Sequence, residues 1–289
     1  MRATVLRMSP RSGLVLAVVS VAGLMMFLWP LLLSPAAGIS HHRDAPFVFA
    51  LILPALIAVL LAELHGNAGI DTKALAMLGV LTAFGAVLRP LGAGVAGIET
   101  VFFLLILAGR VYGPGFGFVL GSTTMFASAL ITGGIGPWLP FQMLAASWIG
   151  LGAGLLPQAK GRVEIALLVG YGVVAAYFFG FLLNMWFWPF TTGEGTQLSF
   201  VAGASVADNL QRFFVYTIAT STFGWDTGRA ITNTLAIVLL GPTVLAVLRR
   251  STRRAAFDAP VHFHELRSDY SDPEDEPHRS GGVSSKARD

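Results

Sequence analysis

The sequence predicts an all-α membrane protein, a bundle of about eight transmembrane helices, and three observations predict it. Of its 289 residues 54% are hydrophobic and only 12% charged, roughly half the charged share of a soluble domain. Mean hydropathy is +0.69, and apolar stretches long enough to cross a hydrocarbon core of about 30 Å recur along the chain. These stretches are continuous and not alternating, so helices satisfy the backbone in lipid where barrel strands would not.

The first expected helix, 13–33, follows Met1 to Arg11. Its apolar run is too long for a signal-peptide core, and the Pro-rich sequence before Ser40 lacks a small-x-small cleavage site. The second covers 46–64. The third, 72–88, carries small residues four apart, Gly79 with Ala83 and Thr82 with Ala86. That spacing lets another helix approach closely, from this chain or from a partner. The fourth and fifth, 96–112 and 115–133, are parted by Tyr112-Gly113-Pro114-Gly115, whose proline lacks an N–H and whose glycines permit a tight reversal. The sixth, 138–156, opens on Gly136-Pro-Trp-Leu-Pro-Phe-Gln142; the seventh covers 163–188 and the eighth 227–248. Between the last two, 191–224 is the longest external stretch, with an amphipathic piece from Asn209 to Ile218, and is expected as a lid or plug. From about Ser251 the chain is too polar to bury and is expected as a disordered cytoplasmic tail.

Charge sets the expected topology. Arg2, Arg7 and Arg11, then Lys73, Arg110, Lys160 with Arg162, and Arg249, Arg250, Arg253 and Arg254 all fall on one side of an even-numbered bundle. The rule that cytoplasmic loops are rich in Lys and Arg makes that side cytoplasmic, with both termini there, in a multi-pass protein of the cell membrane. Arg43, Arg89, Arg212 and Arg229 fall on the other side, mostly beside an acid: Asp44, Glu99, Asp208 or Asp226. The net charge of +3 is therefore a topology signal, and no nucleic-acid partner is implied. The absence of cysteine excludes disulfides, thiolate nucleophiles and Cys-based metal sites.

Polar groups at membrane depth are costly, so each is a functional candidate. Asp226, Arg229 and Asn233 lie at i, i+3 and i+7 on one stripe, placed either to bind a polar ligand or, for the first two, to neutralise each other. Tyr177, Phe181, Asn184 and Trp188 share a face of the seventh helix, suited to a flat heterocycle or to the ordinary interfacial aromatic belt. Trp138 and Gln142 stand one turn apart, and Gln142 bonds either ligand or a neighbouring helix. Arg89 and Glu99 flank a loop of small residues and either gate a cavity or pair to fix the loop. Glycines 113, 115, 117 and 121 imitate a phosphate loop, but no strand precedes them, and no Walker motif occurs. His41 and His42 with Asp44 lack a further well-placed metal ligand, so no metal site is expected. No catalytic residue is assigned, since no intramembrane acid–base pair or His cluster is present.

The stretch Ala74 to Leu156 resembles the substrate-binding S components of energy-coupling factor (ECF) vitamin transporters. The likeness rests on Ala-Val-Leu-Arg89-Pro, Gly97-Ile-Glu99, Leu-Ala-Gly-Arg-Val-Tyr-Gly113-Pro-Gly-Phe-Gly-Phe-Val-Leu-Gly121 and Gly-Pro137-Trp-Leu-Pro-Phe-Gln142-Met. It implies a six-helix core at 66–250, preceded by an extension at 1–65 with two extra helices and followed by the tail 251–289. It implies a micronutrient held near the external side by Arg89, Glu99, Trp138, Gln142, Asn184, Trp188, Asp226, Arg229 and Asn233. It also implies a transmembrane coupling protein (the T component) that touches Gly79 and Ala83, and two ATPase subunits that use ATP, with no cofactor in this chain. The spacing here is Gly-x-x-x-Ala where the family has Ala-x-x-x-Ala. The substrate expected is vitamin-like, a corrinoid or another heterocycle. A self-sufficient secondary transporter, which usually shows repeated broken helices, and a ligand-free membrane scaffold remain as alternatives.

Overall fold

The computed structural model describes residues 9–32, 52–55, 57, 58, 62, 72–92, 97–191 and 195–255, with side chains through 252. The chain divides into two units, Met1–Phe257 and Asp258–Asp289, and every described residue belongs to the first. The helices are α1 (Pro10–Phe27), α2 (Trp29–Leu32), α3 (Thr72–Leu88), α4 (Val101–Tyr112), α5 (Pro114–Thr132), α6 (Leu139–Leu155), α7 (Gly161–Thr191), α8 (Val206–Thr217) and α9 (Thr227–Ala255). A 3-10 turn at Arg89–Leu91 closes α3, and a π-helical segment, Ile218–Asp226, joins α8 to α9 without a break. Of the expected helix 46–64, the described residues are helical, and Leu53 and Ile57 among them are buried. His41, His42, Arg43, Asp44 and the tail beyond Ala255 lie outside the described residues.

Among the described residues, five helical stretches are long and apolar enough to cross a membrane: Pro10–Phe27, Thr72–Leu91, Pro114–Thr132, Gly161–Thr191 and Val206–Thr252. Two more, α4 and α6, are apolar but shorter. The fourth helix begins at Val101, five residues later than its apolar pattern suggests. Gly97 holds φ of 74° and lies against the backbone of Trp225, where a Cβ would collide. This left-handed residue keeps 97–100 out of the helix. The resulting helix is only about 18 Å long. All twelve of its residues are buried, and Glu99 follows Gly97 and Ile98 in the short segment before it.

Lipid tails are as apolar as leucine, so burial of apolar area does not hold such a bundle together; close packing and hydrogen bonds do. The tight reversal at Gly113, with φ of 96°, turns α4 into α5 with Pro114 as its first helical residue. Behind it a Cβ on Gly117 would meet the Gly150 carbonyl, and one on Gly121 would meet the Ala146 backbone. The missing side chains let α5 and α6 approach to backbone contact. Thr82 and Thr123 hydroxyls join α3 to α5 at 2.8 Å, and Ala86 on the same stripe is fully buried. Gly79 and Ala83 lie instead on the exposed face of α3, and a Cβ at Gly79 would meet nothing within 4 Å.

The N-terminal helix is part of the same core. Phe27 packs on Phe141 with ring centroids 5.0 Å apart, Trp148 donates to Ser20 at 3.0 Å, and Trp29 donates to the Trp186 carbonyl at 3.0 Å. Trp186 in turn stacks on Phe141 at 4.5 Å with an interplanar angle of 3°. Such aromatic pairs contribute about 0.5–1.5 kcal/mol each. These contacts run α1 antiparallel to α6, so the start of α1 lies at the bundle end that also carries Arg110, Arg162 and Arg249.

The stretch 191–224, expected as an external lid, is helical from Val206 onward. Ser205 caps α8 by accepting from the Asp208 N–H at 3.1 Å and donating to its carboxylate at 2.7 Å. The run Val206–Thr252 covers 47 residues, roughly twice what a crossing requires. Helix α8 therefore belongs to the part that extends past the span. Phe213 and Tyr216 of α8 pack there on Met185 and Trp188 of α7 as a separate small core.

Candidate substrate site

Helices α7 and α9 run antiparallel in a register that places a polar stripe against a stripe of small residues. Gly180 faces Asp226 so closely that a Cβ would collide with the carboxylate. One turn along, Arg229 Nη1 donates to the Ala176 carbonyl at 3.1 Å. A further turn along, a Cβ on Gly172 would lie 3.6 Å from Asn233 Cβ. The three polar residues read from the sequence as one stripe thus share one buried seam.

Arg229 is the hub of that seam. Its Nε donates to Glu99 Oε2 at 2.6 Å and its Nη1 to Asp226 Oδ1 at 2.9 Å. The guanidinium lies over the rings of Phe102 and Phe179, 5.6 and 5.0 Å from their centroids, an arrangement that favours a desolvated cation. Ser221 donates to the second oxygen of Asp226 at 2.9 Å. Ser221 and Asp226 are five residues apart, the period of a π-helix, and Thr222 and Thr227 make their own hydroxyl bonds to the carbonyls five residues back. The π-helical winding therefore aims Ser221 and Asp226 at the same point.

Arg89 does not pair with Glu99 through a hydrogen bond. Glu99 is taken by Arg229 from the far end of the chain, and Arg89 Nη2 donates instead to Gln142 Oε1 at 2.9 Å. The two pairs are held side by side because Thr100 donates to the Leu88 carbonyl at 2.7 Å. Gln142 thus ties α6 to the end of α3.

Several side chains of this end, Trp186 among them, carry buried polar atoms with no hydrogen-bond partner. Asn233 is fully buried with both Oδ1 and Nδ2 unpaired, and Asn184 Nδ2 and Thr217 Oγ1 are likewise buried and unpaired. Asn184 stands one turn beyond Gly180 on α7, so the two amides bracket the Arg229 cluster. Leaving a buried amide unpaired costs about 1–3 kcal/mol per group.

The two tryptophans expected in the site stand elsewhere. Trp138 is 41% exposed and donates to Gly134 of its own loop. Trp188 is fully buried in the small core with Phe213 and Tyr216, and its indole donates to the Leu198 carbonyl at 2.6 Å. Tyr177 donates to or accepts from Thr227 at 2.9 Å near the surface, and Phe181 packs edge-on against Phe213. Sequence spacing does not flag Ser221, because α-helical winding does not place it beside Asp226. Among the described residues no three His, Asp or Glu side chains gather as metal ligands.

Long apolar helices around a buried ionic and amide cluster define a multi-pass helical membrane protein with polar chemistry inside its bundle. The family model described as the substrate-specific component of ECF transporters matches residues 73–248. The chain belongs to that family, whose members are transport subunits and not enzymes. Among curated proteins and solved structures, none matches.

Proposed function

We propose that the chain captures a vitamin-like, heterocyclic micronutrient at the bundle end carrying Arg89, Glu99, Gln142, Asn184, Asp226, Arg229 and Asn233. The observation that supports this most is the Asn233 amide, fully buried with neither of its polar atoms bonded. Buried polar groups are almost always paired, and an amide with neither of its atoms bonded within the protein is suited to bond another molecule through both. Asp226 to Asn233 spans about 10 Å along the helix axis, comparable with the long dimension of a small heterocyclic molecule. Trp138 and Trp188 contribute at most to the mouth and to the support of α7.

The family assigns energy input to other subunits, a T component and two ATPases, and the exposed face of α3 suits the contact. Gly79 and Ala83 leave a flat strip there with open space above the glycine, and small residues let a partner helix approach to backbone distance. In this scheme the external side carries the Arg229 cluster, the termini are cytoplasmic, and ATP acts only through the partners. Ligand entry requires part of the bundle to open, since Arg229 and Asn233 are both closed off from solvent.

Mass spectrometry of small molecules released from the purified chain tests the capture step. A single heterocyclic species near one per chain is expected. A chain that retains none, and that transports solute alone in liposomes, contradicts this reading.

A further inference from the structure

At the opposite end of the bundle two guanidinium groups close on one carboxylate oxygen. Arg110 Nε donates to Glu164 Oε1 at 2.8 Å, and Arg249 Nη2 donates to the same oxygen at 2.6 Å. The Arg110 and Glu164 side chains are each 3% exposed, while that of Arg249 is 43% exposed. The other bonds of Arg110 go to the neutral carbonyls of Leu156, Pro157 and Ala159. Two cations against one anion leave an excess positive charge at the edge of the apolar span. Arg162, exposed and without a hydrogen bond or ion pair among the described residues, adds to it. Excess charge in such surroundings is costly until a counter-charge meets it.

A groove of about 500 Å³ opens at this place, between the first turn of α7 and the last turns of α9. Its lining joins the charged Arg162, Glu164 and Arg249 to the apolar Ile165, Pro242 and Leu245. The apolar residues are those nearer the middle of each span, and the arginines sit at its rim. A ligand that matches this order is anionic at its outer end and hydrocarbon at its inner end.

We propose that the groove binds an anionic phospholipid. The headgroup phosphate sits between Arg162 and Arg249, and an acyl chain lies along Ile165, Pro242 and Leu245. Basic pockets between helices at a membrane surface are suited to such headgroups. A zwitterionic lipid brings its own cation and gains less from the same arginines.

Native mass spectrometry of the full chain, released from micelles holding equal amounts of phosphatidylglycerol and phosphatidylcholine, tests this. Preferential retention of phosphatidylglycerol is expected, falling about fivefold in Arg162→Ala and further in Arg162→Glu, with thermal stability unchanged. Arg162 makes no bond within the described fold, so neither variant risks misfolding. Equal retention of the two lipids overturns the proposal, as does retention indifferent to the charge at 162. Displacement of the lipid by inorganic phosphate overturns it in favour of a soluble anion. Loss of copurifying proteins from Arg162→Glu membranes, with lipid retention intact, overturns it in favour of a protein partner.

Discussion

Gly180 has no side chain because the carboxylate of Asp226 occupies the place where one would be. With the close approaches at Ala176 and Gly172, this contact lets α7 and α9 pack tightly beside the Asp226–Arg229 pair at 2.9 Å. A methyl group at Gly180 must push the carboxylate off its cation or part the helices. Gly180→Ala is expected to destabilise the protein by about 1–3 kcal/mol, while Gly79→Ala, with open space for the methyl, is neutral or slightly stabilising. Thermal unfolding of the two variants in one detergent checks the contrast. Equal effects of both substitutions would contradict the packing described for α7 and α9.

Arg229 neutralises two carboxylates at once, Glu99 and Asp226. Its removal leaves two acids against a single seam of apolar side chains. Arg229→Met is expected to cost about 3–5 kcal/mol, and Glu99→Gln less, since the Glu99 side chain is 22% exposed and Asp226 keeps the cation company. Denaturation midpoints provide the comparison. An Arg229→Met chain as stable as the parent would show that the cluster contributes nothing to the fold.

Much of the bundle is legible in the sequence because hydropathy and the 3.6-residue period record what lipid demands. Thr72–Leu88 begins and ends where its apolar run does, and the hairpin at Gly113-Pro114 follows from a glycine free to take positive φ and a proline suited to open a helix. The helix at 206–217 is legible only in part, as the amphipathic piece from Asn209 to Ile218. Its Ser, Asp, Asn and Arg lower hydropathy to that of a loop, although Ser205 and Asp208 do spell a helix cap. The start of α4 was misplaced because the apolar pattern continues through a segment that Gly97 keeps out of the helix.

The site was legible in part, and for one reason. Asp226, Arg229 and Asn233 lie on a true α-helical stripe, so spacing alone put them together. Ser221 escaped notice because its alignment with Asp226 needs a five-residue turn. The partnership of Glu99 with Arg229 joins residues 130 apart in the chain, and no local pattern encodes such a meeting. Trp188 shares the expected face of α7, yet α8, expected only as an amphipathic piece of an external lid, covers it.

The strip on α3 gives a test of partner contact that is separate from folding. Gly79→Leu fills the open space beside Ala83 and is expected to leave thermal stability unchanged, since nothing in the chain touches that position. Copurification of the coupling protein and ATPases should fall about tenfold or more, as a side chain where helices meet at backbone distance forfeits the contact. Undiminished copurification would move the contact to another face.

In the proposed capture step the unpaired amide of Asn233 bonds the captured molecule. Asn233→Leu keeps the branched shape of the side chain and removes a buried polar group, so the variant should be about as stable as the parent. Its retained small molecule, measured by mass spectrometry on equal amounts of folded protein, should fall at least about tenfold. Retention equal to that of the parent, by a variant with the same unfolding temperature, would contradict the account.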